Sequence, residues 1–251
     1  FRESFSSRLS LSVFLFSFLN PSINASELQC VKDYKPHRED VQHLRILVHG
    51  SVGAGKSSFI NSVESVLRGG IKRRAFAETN TSKSFTKEYK TYKIQKGQPG
   101  NFYPFVFNDT MGLELDEDGG VHPDDIKLAM EGHVKDGYTL NPASKLSSGN
   151  HYYNAKPTLN DKVHVLVCVA SADKIPLLTE VDVKKIKDIR RKASDLGKSQ
   201  HQDVHYEFFG IPMNCIFPVK NYHEEIDIKD DVDSLILSAL RQIIDSGEDL
   251  H

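Results

Sequence analysis

Eight residues, Gly50-Ser51-Val52-Gly53-Ala54-Gly55-Lys56-Ser57, limit what this chain can fold into more than any other stretch. They match the pattern Gly-x-x-x-x-Gly-Lys-[Ser/Thr], whose chemistry works only between a buried strand and a helix. Both neighbours are present. Leu44 to Val48 is a short apolar run that reads as a buried strand, and Phe59, Ile60, Val63, Val66 and Leu67 recur at helical spacing. In such a loop several backbone N–H groups meet phosphate oxygens at once. A side chain on the inner turn would block that approach, so glycine suits positions 50, 53 and 55. Ser51, Val52, Ala54 and Ser58 add backbone to the same turn, which runs into a helix N-terminus where the dipole also favours an anion. Lys56 can reach the outer phosphates as a point charge. The Ser57 hydroxyl can ligate a Mg²⁺ ion that bridges phosphate oxygens.

A second motif supports the first. Phe105-Val106-Phe107-Asn108-Asp109 ends an apolar strand on a carboxylate, and Thr110-Met111-Gly112 completes Asp-x-x-Gly. In phosphate-loop switches such an Asp holds Mg²⁺ through water and the Gly N–H senses the γ-phosphate. Between the motifs, Thr79 to Glu88 precedes an edge-strand candidate, Tyr89 to Ile94. A metal-contacting threonine is expected just before that strand, with Thr86 as the choice and Thr81 as the alternative. Leu113 follows Gly112, where many hydrolysing switches place a Gln that orients the attacking water. An apolar side chain cannot align water, so intrinsic hydrolysis is expected to be slow or to need a partner. His49 and His122 sit near the motifs in sequence, and packing or surface roles suit both better than catalysis.

Composition excludes several classes. A net charge of −2 over 251 residues provides no basic field for nucleic acid. The three cysteines, Cys30, Cys168 and Cys215, show no metal spacing and no disulfide framework, which suits a reducing, cytoplasmic setting. Leu9 to Leu19 is apolar and follows Arg2 and Arg8, like the core of a signal peptide, but it is too short to span a bilayer. Residues 1–30 are expected to be a non-structural leader, and residues 31–251 a single phosphate-loop domain.

In the second half, Lys162 to Ala170 reads as a central strand, Val183 to Leu196 as an amphipathic helix closed by Gly197, Asn214 to Pro218 as a final strand, and Val232 to Ile243 as the C-terminal helix. Guanine-specific switches carry [Asn/Thr]-Lys-x-Asp after a further strand, and this sequence has none. Thr179-Glu180-Val181-Asp182 resembles it only loosely and reads as a helix cap. Between Gly197 and Gly210 too few residues remain for a strand and a crossover helix. The expected fold is therefore α/β, a three-layer phosphate-loop NTPase architecture. Its sheet is mostly parallel with one antiparallel edge strand, and one strand–helix unit is missing.

Residues 44–66, 108–114, 122–126 and 210–244 together resemble the interferon-induced protein 44 family, including its 44-like members. The likeness runs from about Val31 to Leu250. It implies a TRAFAC-like GTP-binding protein of the cytoplasm, linked to interferon responses and antiviral defence, with GTP and Mg²⁺ as ligands and protein partners or a homodimer as assembly. Ser84-Phe85-Thr86-Lys87 is similar to the switch-threonine pattern of immunity-associated GTPases, which favours Thr86 as a metal contact beside Ser57 and Asp109. Family members carry a Thr-Lys-x-Asp segment that is absent here, and the stretch before Glu27 has no family likeness. Two other readings stay open: an ATP or broad NTP hydrolase, and a nucleotide-free scaffold that acts through partners.

Overall fold

The computed structural model describes residues 10–15, 25–73, 75, 88–110, 112, 121–197, 215–223 and 225–248. In chain order the elements are β1 (Ser10–Leu15), α1 (Ala25–Asp33), β2 (Leu44–His49), α2 (Lys56–Arg68), β3 (Lys90–Gln95), β4 (Phe102–Asp109), α3 (Pro123–Met130), β5 (Val165–Ala170), α4 (Glu180–Gly197), β6 (Ile216–Pro218) and α5 (Asp230–Glu248). The described strands form one sheet in the order β3-β4-β2-β5-β1-β6. Every neighbouring pair is parallel except β3 with β4. The architecture is the expected α/β one, consistent with a phosphate-loop NTPase fold.

Strand alternation explains the layers. Along β2, Leu44, Ile46 and Val48 face one core, and Leu47 faces the other. Along β5, Val165, Val167 and Val169 share the first core, whereas Leu166, Cys168 and Ala170 join the second. The first core is closed by α2 and α5, with Val31 of α1 beside them. The second is closed by α3, through Ile126, Ala129 and Met130, and by α4, through Ile186, Ile189 and Ala193. A sheet buried on both faces needs strands that are nearly all apolar, which is why residues 46–48 and 165–170 read as unbroken apolar runs. Each fully buried Ile, Leu or Phe contributes roughly 1.5–3 kcal/mol.

Within residues 1–30, the expected leader, residues 10–15 and 25–30 are described. Ser10–Leu15 lies between β5 and β6, parallel to both, with Val13 opposite Cys168 on one side and Ile216 on the other. The boundary at residue 30 falls inside α1, whose Val31 is 1% exposed. Residues 198–214 are outside the described residues, and among the described strands β5 and β6 do not pair with each other. Among the described residues, β1 supplies the ladder between these two strands.

Between α3 and β5 runs an excursion, residues 131–164, that the sequence reading did not resolve into elements. It is held by isolated bridges between Val134 and Tyr153 and between Glu88 and Thr139. It is also pinned by the buried Asp125, which accepts the Leu146 N–H at 2.7 Å and the Tyr138 hydroxyl at 3.3 Å.

Candidate phosphate-binding site

The site is built at the C-terminal ends of β2 and β4. Gly50 leaves β2 with φ +145°, and a Cβ there would lie 2.0 Å from the Val169 carbonyl oxygen, so no other residue fits. The chain turns through Ser51, Val52 and Gly53, the Ala54 N–H donates to Ser51 O at 3.1 Å, and Gly55 opens α2 in the left-handed region at φ 94°. No side chain caps that helix start among the described residues, and a helix N-terminus favours an anion. Lys56 is 5% exposed and folds back over the loop, its Nζ donating to Ser51 O at 3.1 Å and Gly50 O at 3.3 Å. Ser58, one turn into the helix, accepts the Ser62 hydroxyl on its carbonyl.

The metal-side residues meet as the spacing implied. Val48 pairs with Asp109 across β2 and β4, which brings the carboxylate beside the helix start. There Ser57 Oγ donates to Asp109 Oδ2 at 2.6 Å, with both residues buried. A hydroxyl and a carboxylate in contact at the mouth of an anion cradle are the donors that a hard, oxygen-seeking cation takes, and they fit Mg²⁺. Bound there, Mg²⁺ would neutralise phosphate charge. Among the described residues no cluster of three His, Cys, Asp or Glu offers another metal centre. Thr110 Oγ1 donates to Val48 O at 3.1 Å and fixes the exit from β4. Gly112 then lies against the loop, where a Cβ would come within 2.7 Å of Val52 Cγ2 and 2.8 Å of its Cα. The two motifs are therefore in direct contact. Thr86, its alternative Thr81, and Leu113 lie outside the described residues.

Neither histidine contacts the cradle through a hydrogen bond. His122 caps α3, accepting the Asp124 N–H on Nδ1 at 3.2 Å. His49 is 1% exposed and neither ring nitrogen has a hydrogen-bond partner among the described residues. Burial, with Lys56 nearby, pushes its pKa down to about 3 and keeps it neutral. Across the ladder from it, burial pushes the Cys168 thiol up to about 12, so that cysteine is inert. Thr179 and Asp182 form a reciprocal cap at the start of α4, with the Thr179 N–H and hydroxyl donating to Asp182 Oδ2 at 2.8 and 2.7 Å. That geometry bears out the capping role and removes the segment from base recognition.

Sequence reasoning missed two residues that reach the loop. Lys174, in the turn after β5, brings Nζ to 3.5 Å from the carbonyls of Val52 and Gly53. Asn221, after β6, donates from Nδ2 to Gly55 O at 3.0 Å. No local pattern marks either one; only the sheet order brings them to residues 50–57.

The fold is that of an α/β protein with a mostly parallel sheet, consistent with a phosphate-loop NTPase-like fold. Comparison with curated proteins identifies its kin. The chain is 32% identical to interferon-induced protein 44 of Pan troglodytes and of Homo sapiens over 257 residues, covering 90% of this chain and 57% of each relative. It is 29% identical to human interferon-induced protein 44-like over 249 residues, covering 87% of this chain and 55% of that protein. The chain is similar to the interferon-induced protein 44 family over about nine tenths of its length and spans a little over half the length of these relatives. No family model matches it. Among the described residues, no helix is long and apolar enough to cross a membrane.

Proposed function

We infer that this chain binds Mg²⁺–GTP through residues 50–58 and Gly112, with Ser57, Asp109 and Thr86 serving the metal, and that it acts as a switch-like protein in the cytoplasm. The Ser57–Asp109 contact at 2.6 Å beside an uncapped helix start carries this reading, since both groups are buried and both suit Mg²⁺. The relatives are named for induction by interferon, which supports a role in an interferon-induced, antiviral response. Hydrolysis is slow or absent because Leu113 stands where a water-orienting Gln is common.

Calorimetry on the parent and Lys56→Ala, with GTP, GDP and ATP in the presence and absence of Mg²⁺, tests the reading. Mg²⁺-dependent GTP binding that Lys56→Ala abolishes is the expected result, and no binding by the parent overturns it. A second reading, binding of any nucleoside triphosphate, is favoured by the absence of [Asn/Thr]-Lys-x-Asp from the sequence. Equal affinity for ATP and GTP would select it. Leu113→Gln should raise turnover if only water alignment is missing.

A further inference from the structure

The Gly55–Lys56 peptide is the joint between the phosphate loop and α2. Its carbonyl oxygen and its N–H lie in one plane and point in opposite directions. Fixing the oxygen therefore aims the Lys56 N–H, one of the donors that an anion at the helix start would use. Gly55 is at φ 94° and has no side chain to resist rotation, so the peptide needs an outside restraint. Two groups hold its oxygen: the Phe59 N–H at 2.8 Å, which is the first bond of a helix end prone to fray, and Asn221 Nδ2 at 3.0 Å.

Asn221 stands on firm backbone. Val219, two residues before it, is fully buried, and the Tyr222 N–H donates to Ser62 Oγ of α2 at 2.9 Å. The Tyr222 hydroxyl donates its one proton to Asp233 Oδ1 at 2.5 Å, lies 3.1 Å from Lys229 O, and accepts the Lys229 N–H at 2.7 Å. The loop after β6 is thus tied to both α2 and α5, and Asn221 projects its amide onto the peptide that the cradle depends on.

We propose that Asn221 is a positioning residue of the phosphate loop: its amide hydrogen bond to Gly55 O orients the Lys56 N–H and so sets affinity for the triphosphate, independent of the base. The proposal rests on the Mg²⁺–nucleotide reading above and adds a residue to it. The test compares the parent, Asn221→Ala, Asn221→Asp and Tyr222→Phe. Each is titrated with Mg²⁺–GTP and with Mg²⁺–tripolyphosphate, a probe with no base, and each is checked by thermal melting.

Asn221→Ala should weaken both probes by the same factor, roughly three- to tenfold, as expected for one hydrogen bond. Asn221→Asp should weaken both further at neutral pH, because a carboxylate cannot donate and faces a carbonyl. That excess loss should shrink as the pH falls toward the carboxyl's own pKa. Tyr222→Phe removes a loop anchor without touching Gly55, and should lower the melting temperature while weakening both probes less than Asn221→Ala does. A loss confined to GTP would make Asn221 a base contact and overturn the proposal. Unchanged affinities, or an equal loss in Tyr222→Phe, would overturn it as well. A parent that binds neither probe defeats the nucleotide reading and this proposal together, whereas a parent that binds alongside indifferent Asn221 variants defeats this proposal alone.

Discussion

His49 shows how the site's surroundings couple to pH. A buried imidazole beside Lys56 stays neutral down to about pH 3 when folded, whereas an exposed one protonates near its ordinary 6.5. The unfolded chain therefore binds more protons between those values, so stability is full above about 6.5 and is lost as the pH falls toward 3. The slope is about 1.4 kcal/mol per pH unit from this residue alone. His49→Leu should flatten that part of a denaturation-versus-pH curve, and an unchanged slope would show that His49 is not buried neutral. At the metal side, Asp109→Asn should retain the fold and lose the Mg²⁺ dependence of nucleotide binding, read by titration with and without the ion. Most of this scale was legible in the sequence. Gly50, Lys56, Ser57 and Asp109 come together because a strand–loop–helix and a strand ending on Asp permit little else. Asn221 was illegible because its partner is reached through the sheet order, with no pattern in its own neighbourhood.

The excursion over residues 131–164 is the element that sequence periodicity could not describe. It contains no long helix or strand, only turns fixed by particular hydrogen bonds. Those bonds have a common target. The Tyr89 N–H donates to Tyr138 O at 2.8 Å, the Gly137 N–H donates to Tyr89 O at 2.8 Å, and Asp136 accepts the Thr91 N–H. The same Tyr138 reaches Asp125 of α3 through its hydroxyl. The start of β3, just after the segment that carries Thr86, is thus tied to the first turn of α3, just after the segment that follows Gly112. On the other side of the Thr86 segment, Asn61 of α2 clasps Ala75, donating to its carbonyl at 2.8 Å and accepting its N–H at 2.7 Å. Asp125 is 1% exposed, and desolvation by burial raises its pKa. Asp125→Ala leaves the Leu146 N–H buried without its acceptor and should cost about 1–3 kcal/mol in chemical denaturation. Tyr138→Phe should cost less, since the 3.3 Å bond it removes is long. The helix α3 itself was within reach of sequence reading, because His122-Pro123-Asp124-Asp125 places a cap, a first-turn proline and two acids in order.

At the scale of the whole molecule, the sheet is assembled from both ends of the chain. The apolar runs of β2, β4 and β5 and the antiparallel edge β3 could be read from composition and spacing, because strands buried on two faces are nearly all apolar. The place of β1 could not, since a short run of serine and apolar residues near the N-terminus has the composition of a leader and nothing local tells it to insert between β5 and β6. Six residues of β1 face β5 and three face β6, so one backbone segment supplies ladder bonds on both sides. Val13 lies in both ladders, opposite Cys168 and Ile216. Proline there removes an N–H from the ladder and leaves its acceptor unsatisfied, a cost of about 1–3 kcal/mol that corresponds to a fall in Tm of roughly 2–12 °C for a chain of this size. A chain beginning at Ala25 should lose at least as much. It should also associate, since the uncovered edges of β5 and β6 are templates for a strand from another molecule. Melting curves and sedimentation on Val13→Pro and on the shortened chain read both effects. If both proteins melt and sediment as the parent does, β1 contributes nothing to the sheet and the strands beside it close by another route.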